Sequence, residues 1–324
     1  MREASEGGMR PWNTSLSVPR LMPVNTVSTR TPSPSWPGRS SAVSSDVHHS
    51  AIAFIGLRLP PGYKPSVPRL PLHQHRRKAR AMDRWIGFGR SLVVYNNPIS
   101  RRAWRLFYED LLSPGDVAFD IGAHVGTRAR AMRAVGARVV AVEPQDPFTR
   151  YLRRTLPKDI EVVAAAVGSR AGEREMAVSH RHPTVSSLQT EFVSQASSSP
   201  GFEKVQWNDS QSVQVVTMDE LIARYGRPDY VKIDVEGFES DVLDGMSEPV
   251  TLLSTEYLPG FSSLTHQVID RLVALGDYFF NPVSGETGRF LWPEWRDSHA
   301  TREWLDSLTA DGRSGDLFAR WGAR

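Results

Sequence analysis

Short apolar runs alternate with helical patterns along much of this chain, and several of those runs end on an acid. Val117–Ile121 predicts a strand that carries Asp120 and leads into Gly122-Ala123-His124-Val125-Gly126. Thr127–Val135 predicts a helix stopped by Gly136, and Arg138–Val142 predicts a strand ended by Glu143. A short helix near Pro147–Leu156 and a third strand over Ile160–Ala166 follow. Asp219–Tyr225 predicts a helix, and Asp229–Ile233 a strand ended by Asp234. Strands that are apolar on both faces and separated by helices need cover on both sides. A mostly parallel sheet between helix layers supplies it, so the expected fold class is α/β.

The rest of the chain divides by composition. With 324 residues there is room for one large domain or two small ones. Hydrophobic residues make up 40% and charged residues 23%, as in soluble globular proteins. There is no Cys, which excludes disulfides, thiolate metal sites and Cys nucleophiles. The net charge of +3 hides an asymmetry: residues 1–82 hold 12 Lys+Arg and 3 Asp+Glu, leaving 27 basic and 33 acidic residues for the remainder. The basic character therefore belongs to the N-terminal segment and is no nucleic-acid footprint of the folded part.

Residues 1–82 read as a disordered leader rich in Ser, Pro and Arg, too poor in apolar residues to offset the entropy of ordering. Its longest apolar run, Ala51 to Leu57, is too short to span a bilayer. A transit peptide, an arm for an acidic surface, or an untranslated or dispensable segment with the functional start near Met82 all fit it. The third is favoured. The main domain is expected over 83–297, beginning with a strand at Leu92-Val93-Val94-Tyr95. A helix capped by Ser100 runs to Leu112, with Trp104, Phe107 and Leu111 on one face. Strands are expected at Arg174–Val178 and Ser212–Thr217. The polar, Ser-rich stretch 179–212 around them reads as a lid, a substrate loop or disorder. Later come a helix over Glu236–Gly245, a strand over Thr251–Thr255, an amphipathic helix over Ser263–Leu275 and a hairpin region over Phe279–Trp295. Residues 298–324 read as a tail.

The acids at the strand ends point to a ligand. Open α/β sheets bind ligands at the carboxyl ends of their strands. A dinucleotide site would show Gly-x-Gly-x-x-Gly; here the spacing is Gly-x-x-x-Gly with Asp120 ahead, which repels a pyrophosphate and attracts an ammonium. Glu143 suits the vicinal hydroxyls of a ribose. Asp234 and Glu236 lie two apart, so a continued strand would put both on one face, where they could act as a general base or hold a divalent metal. S-adenosylmethionine, with a ribose, an amino acid end and a positive centre but no phosphate, fits these requirements. Each motif also has a plainer reading: a strand-to-helix turn at 120–126, an exposed acid at Glu143, and for Glu236 an acid favouring a helix N-terminus. His124 is more simply a brace of its loop than a base. His180 and His182 read as surface residues. Arg150, Arg153 and Arg154 read as a solvated helix face, and Glu256 either enters the cleft or sits satisfied at a strand end.

Asp-Ile-Gly-Ala-His-Val-Gly, Val-Val-Ala-Val-Glu-Pro, Ala-Ala-Val-Gly-Ser-Arg-Ala-Gly, Val-Thr-Met-Asp-Glu-Leu and Val-Lys-Ile-Asp-Val-Glu-Gly-Phe-Glu occur in that order. Together they resemble the FkbM family of S-adenosylmethionine-dependent methyltransferases, over roughly 115–260. The resemblance implies a class I methyltransferase (Rossmann-like) fold: a seven-stranded, mostly parallel sheet with one antiparallel strand and helices on both faces. It implies O-methylation of a hydroxyl on a sugar, glycolipid or polyketide-type acceptor. Carried over by position, Asp120, Gly122, Ala123, His124 and Gly126 surround the methionine end of the cofactor, and Glu143 binds the ribose. Ala165 or Val167, after the third strand, is implied to lie by the adenine. Asp234 and Glu236 face the sulfonium and the acceptor, and Ser186-Ser187 lines the acceptor side. His124 departs from the family pattern, where Asn is common.

The rival readings are a catalytically silent module that keeps the fold, and an NAD-dependent oxidoreductase. The expected partner is a small-molecule or glycan acceptor, with no nucleic acid and no membrane span. The expected setting is cytoplasmic, and the oligomeric state is left open.

Overall fold

A computed structural model describes residues 98–179, 186–188 and 209–322, with the isolated positions 89, 92, 205 and 207. The expected leader 1–82, His180 and His182, and most of the Ser-rich stretch lie outside the described residues. So do residues 93–95 of the expected first strand, and Leu92 itself is helical.

The central sheet grows from the apolar runs. Strand β1 (Val117–Ile121) pairs in parallel with β2 (Arg138–Val142) on one side and with β7 (Tyr230–Ile233) on the other. Beyond β2 lies β3 (Glu161–Val163), and beyond β7 lies β8 (Leu252–Tyr257), both parallel to their neighbours. The far edge is antiparallel: β10 (Gly315–Trp321) inserts between β8 and β9 (Tyr278–Ser284). The order is β3-β2-β1-β7-β8-β10-β9, with one strand reversed, which is the class I methyltransferase sheet. Chain order reverses between β1 and β7, so a crevice opens at their carboxyl ends.

Period-two alternation sends the two faces of each strand to different helix layers. Ala118, Val139, Ala141, Tyr230 and Phe318 pack with Trp104 and Tyr108 of α1 (Pro98–Leu111), Ala129 and Met132 of α2 (Thr127–Ala134), and Leu152 of α3 (Asp146–Thr155). Phe119, Val140, Val231, Leu253 and Phe280 face the other way. They meet Leu221 of α4 (Met218–Tyr225), Val242 and Leu243 of α5 (Glu239–Asp244), and Ile269 and Leu272 of α6 (Ser262–Leu275). Each such fully buried aliphatic or aromatic side chain contributes about 1.5–3 kcal/mol relative to exposure.

Several sequence expectations shift. Ser100 is no cap, because α1 begins at Pro98. The expected third strand splits: β3 joins the main sheet, while β4 (Ala166–Val167) joins a small second sheet with β6 (Asp209–Val216) and β5 (Gly172–Val178). Val-Thr-Met-Asp-Glu-Leu is a helix start: Thr217 Oγ1 accepts from Glu220 N at 3.1 Å while Glu220 Oε2 accepts from Thr217 N at 3.0 Å. The helix expected from Glu236 starts only at Glu239, because Glu236 (φ 54°) and Gly237 (φ 87°) are left-handed. The boundary at 297 also moves. Asp297 caps α7 (Ser298–Asp306), and while the expected Phe279–Trp295 hairpin closes only through isolated bridges at Val283–Phe290 and Phe280–Arg296, β10 pairs along the whole of β9, so the tail is part of the sheet.

Candidate active site

The turn after β1 is built by backbone bonds and one buried acid. Asp120 is 1% exposed, and its Oδ2 accepts from Ala129 N at 2.9 Å, tying the strand to the first turn of α2. Burial pushes its carboxyl up. Its Oδ1 is buried with no hydrogen-bond partner among the described residues. Gly122 (φ 80°) and Ala123 both donate to Val142 O, at 2.9 and 3.0 Å. A Cβ on Gly122 would sit 1.9 Å from the carbonyl oxygen of Asp234. The glycine is therefore required by the neighbouring chain end, not only by a ligand. His124 (φ 49°) lays its ring 4.2 Å from that of Phe148, and burial lowers its pKa to about 4. A neutral, packed imidazole suits a loop brace.

Glu143 follows β2 and is 3% exposed. Its Oε1 accepts from Gln145 N at 2.8 Å and its Oε2 from His124 N at 2.9 Å, so it binds the two loops together. Burial outweighs those bonds and raises its pKa to about 7.

At the end of β7, Lys232 Nζ donates to Asp234 Oδ2 at 2.7 Å; Lys232 is 4% exposed, and its ammonium is held charged by Asp234 and Asp120 against the cost of burial. Burial alone would raise Asp234, but Lys232 overrides it and the carboxyl is lowered. The strand stops at Ile233, so strand alternation does not bring Asp234 and Glu236 together. A turn does. Ser187 Oγ donates to Glu236 O at 2.8 Å, and Glu239 Oε1 accepts from Val235 N and Gly237 N, each at 3.2 Å. In this turn the carboxylate oxygens of Asp234 and Glu236 lie with that of Glu256, from β8, all within 4.8 Å of one another. Burial, then the crowding of like charges, pushes Glu236 and Glu256 well above the usual range. Such a group can share protons, or hold a hard cation that favours oxygen ligands.

Asp120, Gly122, Ala123, His124, Glu143, Ala165, Val167, Asp234 and Glu236 line a single cleft, joined by Ser186. Gly126 is not among its lining residues: it is left-handed (φ 75°), and a Cβ there would meet Leu152 and Leu156 within 2.9 Å. It shapes the turn from behind. Arg150, Arg153 and Arg154 are exposed on α3.

Two cations of the cleft carried no assignment in the sequence. Lys232 had a local signal, since it stands two before Asp234 on a strand. Arg128 had none. Its Nη2 meets Asp316 Oδ2 of β10 at 2.8 Å, 188 positions away, and its guanidinium lies 3.0 Å from the ring centre of Trp104. Trp104 Nε1 in turn donates to Glu286.

Residues 120–278 match the family described as the methyltransferase FkbM domain. Over 135 residues the chain is 29% identical to the hexuronic acid methyltransferase AglP of Haloferax volcanii, a stretch covering 41% of this chain and 50% of that protein. The chain thus spans about half the length of this curated relative. Similar solved structures include an O-methyltransferase from Bacillus cereus in complex with SAH (10% identity, 80% of this chain, 94% of that one, TM-score 0.40). Another is the precorrin-6y C5,15-methyltransferase of Geobacter metallireducens (13% identity, 68% of this chain, 86% of that one, TM-score 0.37). The match shows an FkbM methyltransferase domain over residues 120–278 of this chain.

Proposed function

We propose that the chain is an S-adenosylmethionine-dependent methyltransferase acting on a hydroxyl oxygen of a sugar-type acceptor, a class that extends to glycolipid and polyketide-type alcohols. The observation that carries this reading is the meeting of Asp120, Glu143 and Asp234, from three strands, in one cleft. The residues fit the cofactor by kind. Asp120 keeps a buried, unpartnered oxygen for an ammonium, Glu143 offers carboxylate oxygens for a ribose, and Ala165 and Val167 offer apolar cover for a base. When bound, S-adenosylmethionine supplies an electrophilic methyl group on a sulfonium centre. The sugar-type acceptor is supported by the relative that is a hexuronic acid methyltransferase.

An alcohol must lose its proton as the new bond forms. Asp234, held ionised by Lys232, and Glu236 form a pair on which that proton can rest, with Glu256 beside them. The same three oxygens suit a divalent cation, which would acidify the hydroxyl instead. Dialysis against a chelator separates the two: unchanged turnover leaves the carboxylates as the proton acceptor.

Calorimetry tests the cofactor. S-adenosylhomocysteine should bind and NAD should not; binding of NAD alone would favour the oxidoreductase, and binding of neither would end both readings. Asp234→Ala should abolish transfer. Glu236→Gln should lower kcat on the order of 10²-fold with little change in S-adenosylhomocysteine affinity. Transfer at the wild-type rate in Glu236→Gln would remove that residue from proton transfer, and binding without transfer in the wild type would leave a silent module.

A further inference from the structure

The amino acid end of the proposed donor is a zwitterion. Asp120 accounts for its ammonium, and nothing yet accounts for its carboxylate. Among the described residues, two side chains lining the cleft are cationic, Lys232 and Arg128. Lys232 is committed to Asp234 at 2.7 Å. Among the described residues, Arg128 is committed through Nη2. Nη2 pairs with Asp316 at 2.8 Å and lies 3.6 Å from Glu286, while Trp104 covers the guanidinium face. Nη1 is buried with no hydrogen-bond partner among the described residues. A buried, charged N–H without an acceptor is costlier still than a neutral one left unpaired. It is retained most cheaply where a ligand completes it.

Asp120 is the mirror case. Its Oδ2 is taken by Ala129 N, the residue after Arg128, and its Oδ1 is the buried orphan. The end of β1 and the first turn of α2 thus present an unpartnered acceptor and an unpartnered charged donor to the same cleft, and they do not satisfy each other. A ligand that carries both an ammonium and a carboxylate completes both. Resting on the methyl-donor reading above, we propose that Arg128 binds the α-carboxylate of the donor's amino acid end, held in place by Asp316 and Trp104. The carboxyl-terminal strand β10 then acts on the cofactor site through Asp316, a positioning residue that touches no ligand itself. A planar guanidinium clamped on one edge and one face offers its remaining edge in a fixed direction, which suits a carboxylate better than a mobile ammonium would.

The test is calorimetry on the full chain with two ligands: S-adenosylhomocysteine and its decarboxylated analogue, which keeps the amine. Wild type should prefer S-adenosylhomocysteine on the order of 10- to 100-fold. Arg128→Gln should weaken S-adenosylhomocysteine by that factor and leave the analogue unchanged, so that the preference vanishes; damage to the fold would weaken both. Should Arg128→Gln not fold, with Asp316 left unpaired, the double variant Arg128→Gln, Asp316→Asn removes both charges and gives the same ratio. A preference that survives in either variant overturns the assignment of Arg128. A wild type that binds both ligands equally overturns it too, while leaving the donor reading intact. A wild type that binds neither overturns the donor reading and this inference together.

Discussion

Lys232 sets the charge balance of the cleft. It is 4% exposed, bonded to Asp234 at 2.7 Å and close enough to Asp120 to feel its charge. In Lys232→Met the Asp234 carboxyl loses the cation that keeps it below the usual range, and it should rise toward its acidic neighbours. Breaking a fully buried pair costs about 3–5 kcal/mol. The loss here should be smaller, because 38% of the Asp234 side chain is open to the cleft. Denaturant unfolding measures that loss; an unchanged midpoint would mean that Lys232 carries no such burden. At this scale the sequence showed the acids but not their geometry. Asp234 and Glu236 are visible as a pair, yet they meet through a left-handed Glu236 held by Ser187 and Glu239, and a non-glycine at φ 54° has no local sequence signature.

Elements differ in how plainly they could be read. Val117–Ile121 and Arg138–Val142 match their expected bounds because they are buried between two helix layers, so their runs are apolar apart from Asp120 at the cleft end of one and Arg138 at the start of the other. Gly-Asp-Leu-Phe-Ala-Arg-Trp of β10 mixes Asp316 and Arg320 into its run, and the partner that neutralises Asp316 is Arg128, far back in the chain. A strand whose charges are satisfied only in three dimensions does not announce itself locally. Its place between β8 and β9 makes it a structural member, with Phe318 and Leu317 at or below 1% exposure. A chain stopped after residue 297 should therefore lose cooperative unfolding and S-adenosylhomocysteine binding together. A truncated protein with a sharp melting transition and intact binding would show that the antiparallel edge is dispensable.

Across the whole molecule, acids gather at the carboxyl ends of the parallel strands. Burial raises Asp120, Glu143, Glu239 and Asp316, and burial with mutual repulsion raises Glu236 and Glu256. Glu143 and Glu239 rise from an ordinary 4.5 to about 7. Between those values the folded chain holds protons that an unfolded chain has released. Their contribution to stability is thus fully present below about 4.5 and is lost as the pH climbs through about 7. His124 works in the opposite direction, since its lowered pKa of about 4 removes stability only as the pH falls below its ordinary 6.5. From pH 6.5 upward the two raised glutamates outweigh the fading His124 contribution, so Tm of the ligand-free chain should fall between pH 6.5 and 8, and Glu143→Gln should make that fall shallower. Differential scanning calorimetry at several pH values checks both. A Tm that climbs over this range would mean that the crowded carboxyls are relieved by cations already on the protein, and the acid cluster at Asp234, Glu236 and Glu256 is the place where such relief would count most.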